Sequence, residues 1–135
     1  MESKLQKKVL IVDDEAYVRL LIEQTLEDLE DQGVRIFQAT DGEDALRLVR
    51  QEKPDLVCLD VMIPKLNGFE VCRTIKRELK MEDVYVVILT AKGQEYDWLA
   101  GKEAGADLYM TKPFDPDELL VLVERVLSLH DSNHH

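Results

Sequence analysis

Cysteine is scarce in this sequence. The 135 residues hold only Cys58 and Cys72, too few and too oddly spaced for a disulfide framework or a zinc site, so both are expected to be reduced, buried and inert. Histidine is confined to the tail HDSNHH, as His130, His134 and His135; the last two look like a purification-tag remnant and are given no chemical role. Bases are outnumbered, 17 against 28 acids, for a formal charge of -11. That balance lacks the basic face that non-specific binding to nucleic acid or an anionic membrane needs. MESKLQKKV has no signal-peptide apolar core, and no stretch approaches a membrane span, so a cytoplasmic location is expected. Internal repeats, linkers and low-complexity tracts are missing too. The expected organisation is an extension over 1–7, one domain over 8–129 and a tail over 130–135, with no output domain upstream.

What is present is the composition of a globular domain, 45% apolar and 33% charged, long enough to bury a core without metal or disulfide staples. Apolar runs recur: VLIV at 9–12, VRIFQA at 34–39, DLVCLD at 55–60, VYVVILT at 84–90 and DLYMT at 107–111. Between them the period becomes helical. Val18, Leu21, Ile22, Thr25 and Leu29 form one stripe, and Ala45, Leu48 and Val49 a second after Asp41-Gly42. A third helix is predicted from about Leu66 to Leu79, with Phe69, Val71, Cys72 and Ile75 apolar, and a fourth over about Gln94 to Ala104. A last one runs over about Pro116 to Leu129, where Asp115 followed by Pro is a strong start signal. Five alternations of strand and helix call for an α/β fold, a doubly wound parallel sheet with helices on both faces and right-handed crossovers. VLIV, LVCL and VVIL are continuously apolar, as strands covered on both faces should be.

Asp13, Asp14 and Glu15 stand where the first strand gives way to the first helix. Either they cap and complement that helix, or they belong to a cation site. Ligands of doubly wound folds sit outside the carboxyl ends of the strands, so the residues at and just beyond each strand end matter. Asp13 and Asp14 come after the first strand, Asp60 ends the third, Thr90 ends the fourth and Lys112 comes after the fifth. Each has a dull explanation alone, as a strand end, a helix cap or a solvated lysine; all five on one rim do not. Three carboxylates held together repel unless a cation neutralises them. Mg²⁺, which takes one or two carboxylates and favours phosphate oxygens, fits better than Ca²⁺. A carboxylate can also serve as a nucleophile, with Lys112 offering a point charge and Thr90 a hydroxyl donor to phosphoryl oxygens. These are parts for phosphoryl transfer onto Asp60.

VLIVDDE, ATDGEDAL, PDLVCLDVMIPKLNGFEV, VVILTAK and AGADLYMTKPF, in this order, resemble the receiver domain of two-component response regulators from Lys8 to Leu127. The resemblance implies a (βα)5 fold with strand order 2-1-3-4-5 and Asp60 as phosphoacceptor. It further implies that Asp14, Asp60 and the Met62 backbone carbonyl bind Mg²⁺ (or Mn²⁺), that Asp13 acts through a coordinated water, and that Thr90 and Lys112 bind the phosphoryl group. A cis peptide is expected between Lys112 and Pro113. The implied activity is a signalling switch rather than a turnover enzyme, phosphorylated by a sensor histidine kinase or phosphotransfer protein. Thr90 would move toward the phosphate and Tyr109, a half-buried strand aromatic at rest, would turn inward. The fourth helix, fifth strand and fifth helix would then meet an output domain or downstream protein, with a phosphorylation-linked homodimer as a further possibility for this face. On it, Trp98 is open to two readings, interface anchor or half-buried packing, whereas Leu99 is assigned to the core. LLVLV at 119–123 is apolar all round and expected to pack beyond its own domain. Met62 and Lys92, two positions after Asp60 and Thr90, lack groups that orient water, so the phosphoryl group should be lost slowly. Of the competing readings, a flavodoxin-like carrier would need a Ser/Thr-rich loop in place of DDEAY. A haloacid-dehalogenase-type hydrolase would need an acid in place of Met62. A structural adaptor would never take phosphate.

Overall fold

The computed structural model describes residues 6–91 and 96–128. Five strands, β1 (Lys8–Val12), β2 (Arg35–Ala39), β3 (Leu56–Asp60), β4 (Tyr85–Ala91) and β5 (Leu108–Lys112), form one sheet in the order β2-β1-β3-β4-β5, every pair parallel. The helices are α1 (Ala16–Thr25), α2 (Glu27–Glu30), α3 (Gly42–Glu52), α4 (Gly68–Arg73), α5 (Tyr96–Ala104) and α6 (Pro116–Val126); α4 runs on into a π-type turn over Thr74–Glu78. Side chains at 91, 96–98 and 101 lie outside what is described, as do residues 1–5, 92–95 and 129–135. Expectations for Lys92, the Trp98 side chain and His130, His134 and His135 therefore fall outside the described residues.

Alternation along the strands builds two cores. Val9, Ile11, Leu56, Cys58, Val87 and Leu89 face α1, α2 and α6. Leu10, Val12, Val57, Leu59, Val86 and Ile88 face α3, α4 and α5. All five residues of β3 are buried, whereas β2 and β5, at the two edges, are only partly covered. Cys58 and Cys72 are unpaired and buried, and burial pushes their thiols up to about 12 and about 11, far from thiolate at neutral pH.

Local signals account for the helix starts. Asp41 accepts from the Asp44 N–H at the head of α3, Asp115 from the Asp117 N–H ahead of Pro116, and Asn67 forms a capping box with Glu70. The inward stripe of the first helical segment is Val18, Ile22, Leu26 and Leu29, all buried, while Leu21 is 39% exposed. The expected Leu21 lies about 100° round the helix from the buried Ile22 and falls on its outer side; α1 ends at Thr25, and the chain continues through Leu26 into α2, which carries Leu29. Leu99 is 59% exposed, not core: α5 turns Ala104 inward instead. In α6 Leu119, Leu122 and Val123 are buried and Val121 is exposed, so its apolar character is only partly absorbed by the sheet.

Gly68 has no room for a side chain, since a Cβ there would stand 2.5 Å from the Asp60 carbonyl oxygen. This close approach brings the start of α4 directly against the end of β3. Leu26→Ala is expected to lower unfolding free energy by about 2–5 kcal/mol through the cavity it leaves, and Leu21→Ala by less than about 1 kcal/mol, as measured by urea denaturation.

Candidate functional site

The parallel register delivers the strand ends to one rim. Val12 pairs with Ala39 and Leu59, Asp60 with Leu89, Thr90 with Thr111, and Ala91 with Lys112. Because β1 lies directly beside β3, the acids after Val12 sit beside Asp60. One carboxylate oxygen each from Asp13, Asp14 and Asp60 lies within 4.8 Å of the others. Asp13 and Asp60 are buried and Asp14 is exposed, so the cluster opens to solvent on the Asp14 side.

Lys112 faces this cluster. Its Nζ donates to Asp13 Oδ2 at 2.9 Å and stands 3.4 Å from Asp60 Oδ1 and 3.6 Å from Glu15 Oε1. The Lys112-Pro113 peptide is cis, as expected. The other oxygen, Asp13 Oδ1, accepts from the Glu15 N–H at 2.9 Å. The capping reading is thereby set aside. Glu15 occupies the N-cap of α1 without a side-chain cap bond, and the first turn of α1 contains no acid. Asp13 divides its two oxygens between Lys112 and the N–H of that N-cap residue, and Asp14 and Asp60 each bring an oxygen close by.

Burial raises the Asp60 pKa to about 6, and the charge of Asp13 adds to the rise; Lys112 and a hydrogen bond from the Met62 backbone act in the opposite direction without cancelling it. For Lys112 burial alone would lower the pKa, but its hydrogen bond to Asp13 and the charges of Asp60 and Asp13 outweigh this, and the net shift is upward. The ammonium is therefore retained at neutral pH, facing a carboxylate whose ionisation is hindered. The donor set suits a hard divalent cation: oxygens from three carboxylates converge, two of them buried, and more negative charge is gathered than one ammonium balances.

Thr90 is buried at the carboxyl end of β4, between the β3 and β5 ends that carry Asp60 and Lys112. Tyr109 is half-buried on β5 and packs against the core cluster containing Ile88. Met62 is 65% exposed beside the site. All five side chains expected from the strand ends are thus on one rim. One contributor was not anticipated. Arg19, from α1, donates Nη1–H to the Asp13 carbonyl at 2.7 Å and Nε–H to Gln38 at 3.2 Å, tying the acidic turn to β2. Glu15 adds a fourth carboxylate near Lys112. Glu15 was legible as a third acid in the row, but nothing in the sequence distinguishes Arg19 from a solvated helix residue.

Comparisons with known proteins converge on one family. The family model described as "Response regulator receiver domain" matches residues 9–124. The alkaline phosphatase synthesis transcriptional regulatory protein PhoP of Bacillus subtilis is 45% identical over 91% of this chain and 49% of its own length; the chain spans about half of this relative. Among solved structures, the BeF3-activated receiver domain of DrrB, a Thermotoga maritima protein, has a TM-score of 0.78 and 36% identity, covering 91% of this chain and 98% of that one. The receiver domain of sensor histidine kinase PA1611 from Pseudomonas aeruginosa, with a magnesium ion in its active-site cleft, has a TM-score of 0.79 and 28% identity, covering 91% of this chain and 98% of that one. Among the described residues, no helix is long and apolar enough to cross a membrane.

The raised Asp60 pKa makes stability depend on pH. The folded chain holds this proton more tightly than the unfolded chain, whose carboxyl titrates near 3.8; the contribution is complete below that value and is lost as pH rises through about 6. Without divalent cations, Asp60→Asn should therefore gain stability over the parent chain as pH rises, with little difference near about pH 4 and the full gain by about pH 7.5. Urea unfolding of both proteins at the two pH values measures it.

Proposed function

Since the chain belongs to the response regulator receiver domain family, we propose that it is a phosphorylation switch in which Asp60 accepts a phosphoryl group from the phosphohistidine of a sensor histidine kinase or phosphotransfer protein. The observation carrying this reading is the convergence of Asp13, Asp14 and Asp60 opposite the Lys112 ammonium. Asp14, Asp60 and the Met62 carbonyl would hold Mg²⁺ (or Mn²⁺), with Asp13 acting through a coordinated water while its oxygens also accept from Lys112 and the Glu15 N–H. When bound, the ion neutralises the carboxylates and polarises the phosphoryl oxygens.

An Asp60 carboxylate oxygen forms the new O–P bond as the donor's N–P bond breaks, and the donor keeps the electron pair on its imidazole. Lys112 releases its hold on Asp60 and tracks the incoming phosphoryl oxygen, where its charge is worth most at the moment charge develops. Thr90 donates its hydroxyl to a second oxygen. That displacement frees space behind Thr90, and Tyr109 turns inward to fill it. The chain is a switch rather than a turnover enzyme, acting in the cytoplasm. The receiver unit spans 8–129, flanked by an extension over 1–7 and a tail over 130–135.

The changed face is α5, β5 and α6, where an output domain, a downstream protein or a second copy docks. The exposed Leu99, Leu108 and Val121 favour this surface. Nucleic acid is not a direct ligand of a domain with a charge of -11.

Incubation with acetyl phosphate and Mg²⁺ should add one phosphoryl mass to the intact protein. Asp60→Ala or chelation should abolish the gain, and Lys112→Ala should slow it by about 100-fold. The label should persist for minutes or longer, since Met62 cannot orient an attacking water; decay within seconds would contradict this, and a parent chain that never gains mass would leave the structural-adaptor reading standing. Light scattering with and without beryllofluoride tests the second-copy contact, for which an unchanged monomer in both states is the negative result.

A further inference from the structure

The Asp41-Gly42 turn contributes no side chain to the acidic cluster, yet it presses on the loop that carries Met62. The Gly42 N–H donates to the Pro64 carbonyl at 3.1 Å, an oxygen that also accepts from the Leu66 N–H at 2.9 Å. A Cβ on Gly42 would stand 2.6 Å from Leu66 Cβ and 2.7 Å from the Leu66 carbonyl oxygen. The second obstacle is backbone, so no change of side-chain rotamer relieves it. Asp41, which caps α3 through the Asp44 N–H, also lies 3.8 Å from Lys65 Nζ, and Glu43 lies 3.7 Å from the same ammonium. Lys65 itself has a φ of 76°, in the left-handed region, so the loop is held where its backbone would not rest unaided.

The loop's other supports come from the site's own strand and helix. The Val61 N–H donates to the Leu89 carbonyl at 3.2 Å, and the Gly68 N–H donates to the Val61 carbonyl at 2.9 Å. Segment 61–67 is therefore wedged between β4, the start of α4 and the start of α3. Reactive groups tolerate misplacement poorly: a shift of about 1 Å can cost about 100-fold in rate.

We propose that Gly42 is a positioning residue for the site, the start of α3 serving as a backstop that holds the Val61–Leu66 backbone at the distance Asp60 requires. The inference rests on the reading of Asp60 and the Met62 main chain given under Proposed function. It makes the start of α3, which contributes no side chain to the cluster, a determinant of divalent-cation affinity and phosphorylation rate.

The test compares the parent chain with Gly42→Ala, Asp41→Ala and, as a core control, Leu26→Ala. Three quantities are read: Mg²⁺ affinity of the unphosphorylated protein by calorimetry, amide chemical shifts of Val61, Met62, Ile63, Lys65 and Leu66, and the rate of labelling by acetyl phosphate. Gly42→Ala should weaken Mg²⁺ binding and slow labelling by about tenfold or more, with those amides displaced. Asp41→Ala should do the same to a smaller, several-fold extent, and Leu26→Ala should leave both within about twofold of the parent although it is less stable. If Gly42→Ala fails to fold, Asp41→Ala decides alone. A folded Gly42→Ala, or in its absence Asp41→Ala, that binds Mg²⁺ and takes phosphate like the parent overturns the inference, as does a Leu26→Ala that weakens both equally. A parent chain that neither binds Mg²⁺ nor takes phosphate overturns the reading of Asp60 and this inference with it.

Discussion

Repulsion among carboxylates at the end of a parallel sheet, held in check by one ammonium, is the constraint on which this structure turns. Asp13, Asp14 and Asp60 would disperse if free, but each is fixed by backbone that has other reasons to be where it is. Val9 to Val12 and Leu56 to Leu59 are buried on both faces of the sheet, and their packing holds the acids together at a cost the core can absorb. Lys112 offsets part of that cost from β5, and the Asp13 carboxylate is held between Lys112 and the Glu15 N–H. The rim is consequently short of positive charge and hindered in ionising Asp60, a state that favours a divalent cation or a change at Asp60 itself.

The backbone around that rim is tied down by contacts on several sides. Arg19 pins the Asp13 carbonyl to Gln38 on β2. The Asp60 carbonyl lies so close to α4 that only glycine fits at position 68. On its other flank the loop after Asp60 meets Gly42. An exposed Asp14 and an exposed Met62 thus stand on backbone clamped from several directions. Accessible carboxylates on a hydrogen-bonded frame are what binding and group transfer require.

The fold was legible where burial is complete. The three central strands read as unbroken apolar runs because both their faces are covered, and their ends fell within a residue of expectation. Helix faces were less secure. Leu21 and Leu26 are equally apolar in the sequence, but docking on the sheet buries the second and leaves the first 39% exposed. Leu99 is exposed too, and among the described side chains of α5 it is the small residue Ala104 that reaches the core. Arg19 could not have been found, because its partner is a main-chain oxygen that any residue at position 13 would offer.

The sequence by itself determined the architecture and singled out the strand-end residues that the fold gathers on one rim. Periodicity reflects whether one face or two are buried, and in a parallel sheet every strand must end on the same rim. Only the tertiary structure decided which charges matter. Lys76 and Lys112 are both lysines beside apolar segments, but folding buries the first on the carbonyls of Glu82 and Val84 and on Asp107, away from the rim. It sets the second among Asp13, Asp60 and Glu15. Charge interactions depend on distance and on water excluded from between the partners, and both are properties of segments brought together from far apart in the chain.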